Sequence, residues 1–177
     1  MTDVNMDYLR AAKDGNLEDM VKYLENGVDV NYHNEHGLTA FHLASKHGHV
    51  SVVKELLQRG IHTHAVTRKG SSALHFAALS GQTEVARQLI HCNMNVNLQT
   101  NGRFTPLYMA AQEGHVELVQ MLLDNNADPN LGPEKFTPMV VAKQQGHEAV
   151  VKCLENHYTQ VIKATLNEIE SETTTRS

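Results

Sequence analysis

The 177-residue chain contains no tryptophan, two cysteines, four prolines and no surplus of basic residues. Each shortage removes a class of protein. Cys92 and Cys153 lie far apart in sequence, cannot form a disulfide framework, and read as free thiols of a cytoplasmic protein. Fifteen Lys and Arg stand against twenty Asp and Glu, a net charge of −5 with histidine neutral, so nothing draws the chain to nucleic acid. No apolar run approaches the roughly 18–20 residues of a membrane span, and residues 1–7 lack the basic and apolar regions of a signal peptide. Direct membrane insertion is not expected.

What is present is a period. Gly15, Gly48, Gly81 and Gly114 recur 33 residues apart, and Gly146 follows one residue early. Related phrases run through Leu38-Thr-Ala-Phe-His-Leu-Ala, Ser71-Ser-Ala-Leu-His-Phe-Ala-Ala, Phe104-Thr-Pro-Leu-Tyr-Met-Ala-Ala and Phe136-Thr-Pro-Met-Val-Val-Ala. The unit beginning at Asn101 shows how each is built. Thr105 can cap a helix by accepting a free backbone N–H, and Pro106 suits the first helical position. Leu107, Ala110 and Ala111 form a narrow face, and Gly114 suits the turn that ends the helix. His115 opens a second helix with Leu118, Val119, Leu122 and Leu123 on one stripe. Val52, Val53, Leu56 and Leu57, and then Val85, Ala86, Leu89 and Ile90, repeat that stripe. Asn31, His64, Asn97 and Asn130 keep the same register in the connecting loops. Thr39 with His42, and Ser72 with His75, are spaced to hydrogen-bond within a first turn.

A 33-residue period with T-P-L-H-like cores is the signature of the ankyrin repeat, and the chain is identified as a member of that family. The strings Tyr8–Asn16, Gly37–Val50, Thr105–His115 and Gln144–His147 resemble the first five repeats of the ankyrins themselves, over about Asp7 to Asn156. The resemblance implies an all-α solenoid of helix–turn–helix units joined by finger loops. The expected organisation is an N-terminal tail over 1–6 and five repeats over 7–158, at about 7–33, 34–66, 67–99, 100–132 and 133–158. A capping helix over 159–170 and a disordered tail over 171–177 complete it. Asp19 and Glu155, polar where inner repeats are apolar, and the Ile162, Leu166, Ile169 stripe are expected to finish the ends of the stack. Two departures from the family pattern stand out. The last finger is one residue short with Lys135 at its glycine position, and Arg103 replaces a glycine.

The resemblance places partner contacts at the finger tips and at the residue pairs before each helix-ending glycine. These are Lys46 and His47, Arg68 and Lys69, Leu79 and Ser80, Asn101 and Arg103, and Gln112 and Glu113. Lys13-Asp14, Gln144-Gln145 and the first finger, His33 to His36, extend the row. Taken singly, each reads better as a solvated surface residue; taken together they line the concave wall that stacked repeats create.

Twelve histidines invite a metal reading, with His62 and His64 closest in sequence. Yet His42 and His75 occupy the framework position of the motif, and His49, His115 and His147 share one helix start. Equivalent solenoid positions lie in a row, whereas zinc needs converging ligands. No phosphate loop or nucleophile motif is present, so no cofactor, metal site or enzymatic activity is expected. Asn97 and Asn130 each follow a leucine, Leu89 and Leu122, by eight residues. This resembles the pattern family members offer to an asparaginyl hydroxylase, beside the simpler reading of structural finger asparagines.

The function implied is a protein-binding adaptor, a cytoplasmic monomer that holds extended cytoplasmic tails of membrane proteins and so reaches the inner face of the plasma membrane. Spectrin binding is not implied, because the resemblance stops before the regions that carry it. A free-standing regulator of a soluble kinase or transcription factor is the alternative, favoured by the polar ends. An enzyme using the histidine-rich surface is the third class, and chelator-sensitive activity would be its mark.

Overall fold

The computed structural model describes residues 3–175, with side chains as far as Ile169. Among these residues it is a row of helix pairs with no strand, only an isolated antiparallel bridge between His33 and Thr39. The first helices of the pairs are α1 (Val4–Asp14), α3 (Ala40–His47), α5 (Ala73–Leu79), α7 (Pro106–Glu113) and α9 (Pro138–Gln145). The second helices are α2 (Leu17–Glu25), α4 (Val50–Gln58), α6 (Thr83–His91), α8 (Val116–Asp124) and α10 (Glu148–Thr175).

Local chemistry sets each boundary. Thr105 Oγ1 accepts from Tyr108 N at 3.1 Å, and Pro106 opens α7. Thr137 and Pro138 repeat the arrangement for α9. Gly48, Gly114 and Gly146 end their helices in the left-handed region, at φ 76–79°. Glycine is also required there for space. A Cβ on Gly81 or Gly114 would lie 2.7 Å from ring atoms of His115 or His147 in the next repeat.

Those imidazoles join one repeat to the next. His49 Nε2 donates to Lys13 O at 2.8 Å, His115 Nε2 to Leu79 O at 3.2 Å and His147 Nε2 to Gln112 O at 2.9 Å. Gln82 takes the fourth place and reaches Lys46 O at 3.4 Å. Buried alanines 11, 12, 44, 77, 78, 110, 111 and 142 let the first helices approach closely, while Val, Leu and Met hold the second helices further apart. The stack therefore curves toward the first-helix side.

His42 and His75 sit in the core at 1% exposure. Nδ1 of each accepts the backbone N–H of Thr39 or Ser72, at 3.1 and 3.2 Å, and Nε2 donates to Ala65 O or Phe104 O. That network assigns the neutral tautomer. Burial pushes both imidazoles down to about 4.

Both ends differ from the expected boundaries. Residues 4–6 are not a tail: Asp3 Oδ1 accepts from Asn5 N at 3.0 Å, so α1 starts at Val4. At the other end no separate cap forms over 159–170, and the chain is not disordered from Ser171. Instead α10 continues unbroken to Thr175, because nothing between Asn156 and Thr175 breaks a helix, with neither Gly nor Pro in that stretch. Residues 176–177 lie outside the described residues. Tyr158 ties α10 to the stack, its hydroxyl 3.3 Å from Asn130 Oδ1. Beyond it Ile162, Leu166 and Ile169 are 53–59% exposed, so the stripe does not cover the fifth repeat. The end face is finished within the repeat. Lys143 stands where Ser45, Ala78 and Ala111 are buried, and its Nζ lies 3.9 Å from Glu155.

This packing sets three expected outcomes. Leu107, fully buried, should cost roughly 2–5 kcal/mol as Leu107→Ala, whereas exposed Lys46→Ala should stay within about 0.5 kcal/mol in urea denaturation. Removing residues from Thr159 onward should leave the melting midpoint unchanged, since the side chains from Thr159 to Ile169 are exposed. His42 and His75 should make stability pH-dependent. Their folded values lie below the ordinary 6.5, so between the two the unfolded chain binds more protons. Stability is full above about pH 6.5 and falls toward pH 4 by up to about 1.4 kcal/mol per pH unit for each histidine. Denaturation midpoints across pH 7.5–4.5 measure this, and His75→Gln should give a shallower slope.

Candidate protein-binding groove

The concave wall is made of two rows. The upper row is the finger tips, the first three each turned by one side chain at an equivalent position. Asn34 Oδ1 accepts from His36 N and Leu38 N at 3.0 and 3.1 Å. Thr67 Oγ1 accepts from Ser71 N, and Thr100 Oγ1 from Phe104 N, both at 3.2 Å. The first two turns need a left-handed residue and have Gly37 and Gly70 there. The third has Arg103, at φ 65°, a conformation that costs a non-glycine residue about 1–2 kcal/mol. In the shortened fourth finger Glu134, not Lys135, takes positive φ, at 51°.

The first three fingers are bonded side to side. Arg68 N donates to His36 O at 3.0 Å, Asn101 N to Lys69 O at 2.9 Å, and Asn101 Nδ2 to Arg68 O at 3.0 Å. The backbone under the tips is thereby fixed. Finger bases are joined as well: Asn31 Oδ1 accepts from His62 N, and Asn97 Oδ1 from Asp128 N, both at 2.7 Å. Asn97 Nδ2 also donates to Asn126 O at 3.0 Å, which gives this asparagine a structural role.

The lower row is the ends of the first helices. Lys46, His47, Leu79 and Glu113 are exposed, and Ser80 and Gln112 half-buried. Arg68, Lys69, Asn101 and Arg103 are exposed above them. The fold thus sets all ten sequence-predicted residues on finger tips or first-helix ends. His47 is held below its ordinary value by partial burial, then by Lys46, His49 and Lys13 around it. Its ring stacks on His49, centroids 6.1 Å apart.

Periodicity missed two features of this wall. Val66, 45% exposed, faces a cleft of about 490 Å³ between the first and second fingers, with His33, His62 and Arg68 around it. Phe136 is 42% exposed in the fourth finger. Val66 stands outside the repeating pattern, so only its breach of it, an apolar residue in a polar loop, could have marked it; Phe136 holds the repeat position of Leu38, Ser71 and Phe104, and the period does not give its exposure.

Among the described residues no three His, Cys, Asp or Glu side chains converge on a point. His62 and His64 share a finger without a third ligand. Cys153 is buried on the opposite face, donates to Gln120 Oε1 at 3.2 Å, and burial raises its thiol above the ordinary range. A carved wall of fixed backbone and exposed side chains suits recognition of another polypeptide. Among the described residues no helix is long and apolar enough to cross a membrane.

Known proteins agree with this geometry. The family profile described as "Ankyrin repeats (3 copies)" matches residues 9–100 and again 88–165. Ankyrin-3 of Mus musculus is 57% identical over 44 residues, which is 25% of this chain and 2% of that protein. Ankyrin-3 of Homo sapiens is 56% identical over 43 residues, 24% of this chain and 1% of that protein. Ankyrin-1 of Homo sapiens is 52% identical over 43 residues, 24% of this chain and 2% of that protein. The matched stretch is thus a small fraction of each relative, and with the profile covering nearly all the described helices, the chain belongs to the ankyrin-repeat family, a family of protein–protein interaction modules.

Proposed function

We propose that this chain is a non-enzymatic adaptor whose concave groove holds an extended cytoplasmic segment of a membrane protein. The observation that carries the proposal is the rigid double row: three fingers locked by backbone bonds above a line of exposed helix-end side chains. Such a wall offers a strand-like segment many contacts at little ordering cost to the protein. Likeness to ankyrin-1 and ankyrin-3 favours a membrane-protein tail over other partners. On this reading the protein acts as a cytoplasmic monomer, brought to the membrane by its partner, without cofactor, metal or nucleic acid.

Affinity capture from lysate identifies the partner, and titration of that partner against variants locates the surface. Leu79→Arg, in the middle of the lower row, should weaken binding roughly tenfold or more, as expected for a central contact. Gln88→Ala and Gln120→Ala on the second helices should leave affinity unchanged. Loss of binding in the second-helix variants alone overturns the groove. Capture of a soluble kinase or transcription factor with the groove intact turns the reading to that of a regulator.

A further inference from the structure

Charge is distributed very unevenly along this acidic chain. Residues 56–112 contain one acidic residue, Glu84, against five basic ones, Arg59, Arg68, Lys69, Arg87 and Arg103. The remainder holds nineteen acidic and ten basic residues, so the middle carries +4 and the rest −9, which together give the −5 of the whole chain.

The structure divides the five cations in two. Arg59 Nε donates to Glu55 at 2.6 Å, and Arg87 Nε to Glu84 at 3.2 Å, both on second helices and neutralised one turn away. Arg68, Lys69 and Arg103 make no side-chain hydrogen bond or ion pair among the described residues. All three are exposed on two neighbouring finger tips. Their backbones are tied through Asn101 to both Arg68 O and Lys69 O. Arg103 keeps its place at a left-handed position where the two preceding fingers have glycine. A strained cation at a solvent-exposed tip contributes nothing visible to the fold, and strain of this kind marks functional positions.

We propose that the groove takes a short acidic peptide segment, with carboxylates three residues apart seated on Arg68–Lys69 and on Arg103; this rests on the groove reading above. The spacing comes from the fold. Stacked helices lie roughly 10 Å apart, and an extended chain advances about 3.3 Å per residue, so one repeat spans about three residues. Leu79, on the floor of the same repeat, offers an apolar contact to an intervening side chain. Length is limited by charge. Glu35 in the finger before and Glu134 in the finger after repel an anionic chain running past the central fingers, while Glu113 lies at the foot of Arg103's own repeat. This favours a local acidic cluster in a protein over a long polyanion such as RNA.

The test is selection of linear peptides displayed on phage against the immobilised full chain, followed by anisotropy titration of the synthetic peptides. The expected winners are acidic, with Asp or Glu at i and i+3. Arg68→Glu/Lys69→Glu/Arg103→Glu should weaken them roughly tenfold or more at low salt, with an unchanged melting midpoint, and the difference should shrink as salt rises. Arg103→Gly should also lose affinity, and relief of backbone strain should raise the midpoint slightly. Winners without acidic residues, lost on Leu79→Arg but indifferent to the triple reversal, overturn the acidic inference and leave the groove standing. Binding indifferent to both changes overturns both readings. Single-stranded RNA competing at concentrations equal to the peptide overturns the short acidic segment in favour of a general polyanion site.

Discussion

Everything in this molecule depends on one contact repeated at each boundary: a helix-start side chain laid over the preceding repeat's terminal glycine and bonded to its helix-end carbonyls. His49, His115 and His147, with Gln82 between them, satisfy carbonyls that a helix end would otherwise leave open. The same atoms occupy the space a Cβ would need. A backbone conformation, a hydrogen bond and a packing contact are thus fulfilled together. A repeat cannot bury its apolar stripe alone, so this register lock also decides which alanines and leucines meet.

The buried histidines work within a repeat as the helix-start ones work between repeats. His42 accepts from its own cap and donates to the next finger's backbone, holding helix and finger at a set angle. His75 does the same one repeat later. The upper row of the groove is therefore aimed from the core, through a neutral imidazole.

Much of this was legible in the sequence because the fold is periodic. The glycine step, the Thr-Pro caps, the stripes on the second helices and the Thr39–His42 pair are all local and recur, and the structure places each where the period puts it. The positions of Lys46, Arg68, Leu79 and Gln112 on one wall come from the same register. What was not legible lies where periodicity stops. The Ile162, Leu166, Ile169 stripe has the spacing of a covering helix, but spacing does not say whether a surface lies within reach. The helix leaves Tyr158 along its own axis instead of folding back. Asp3 caps α1 ahead of the first repeat, where the period carries no information. Side-to-side bonding of the fingers joins residues a full repeat apart, through backbone atoms on which sequence has no purchase.

The shortened fourth finger has a consequence of its own. Fingers one to three are joined by backbone bonds, while no such bond links Asn101 or Gly102 to residues 133–135. The row is therefore a rigid comb whose fourth tooth is tied only at its base, through Asn97 to Asn126 and Asp128. Phe136, exposed on that tooth, has its N–H bonded to Pro133 O within the tooth and is not tied to the third finger by a backbone bond. A binding surface so divided can accept partners that share a core segment but differ in the residues flanking it, and loop insertions at this finger would be borne more readily than at any other.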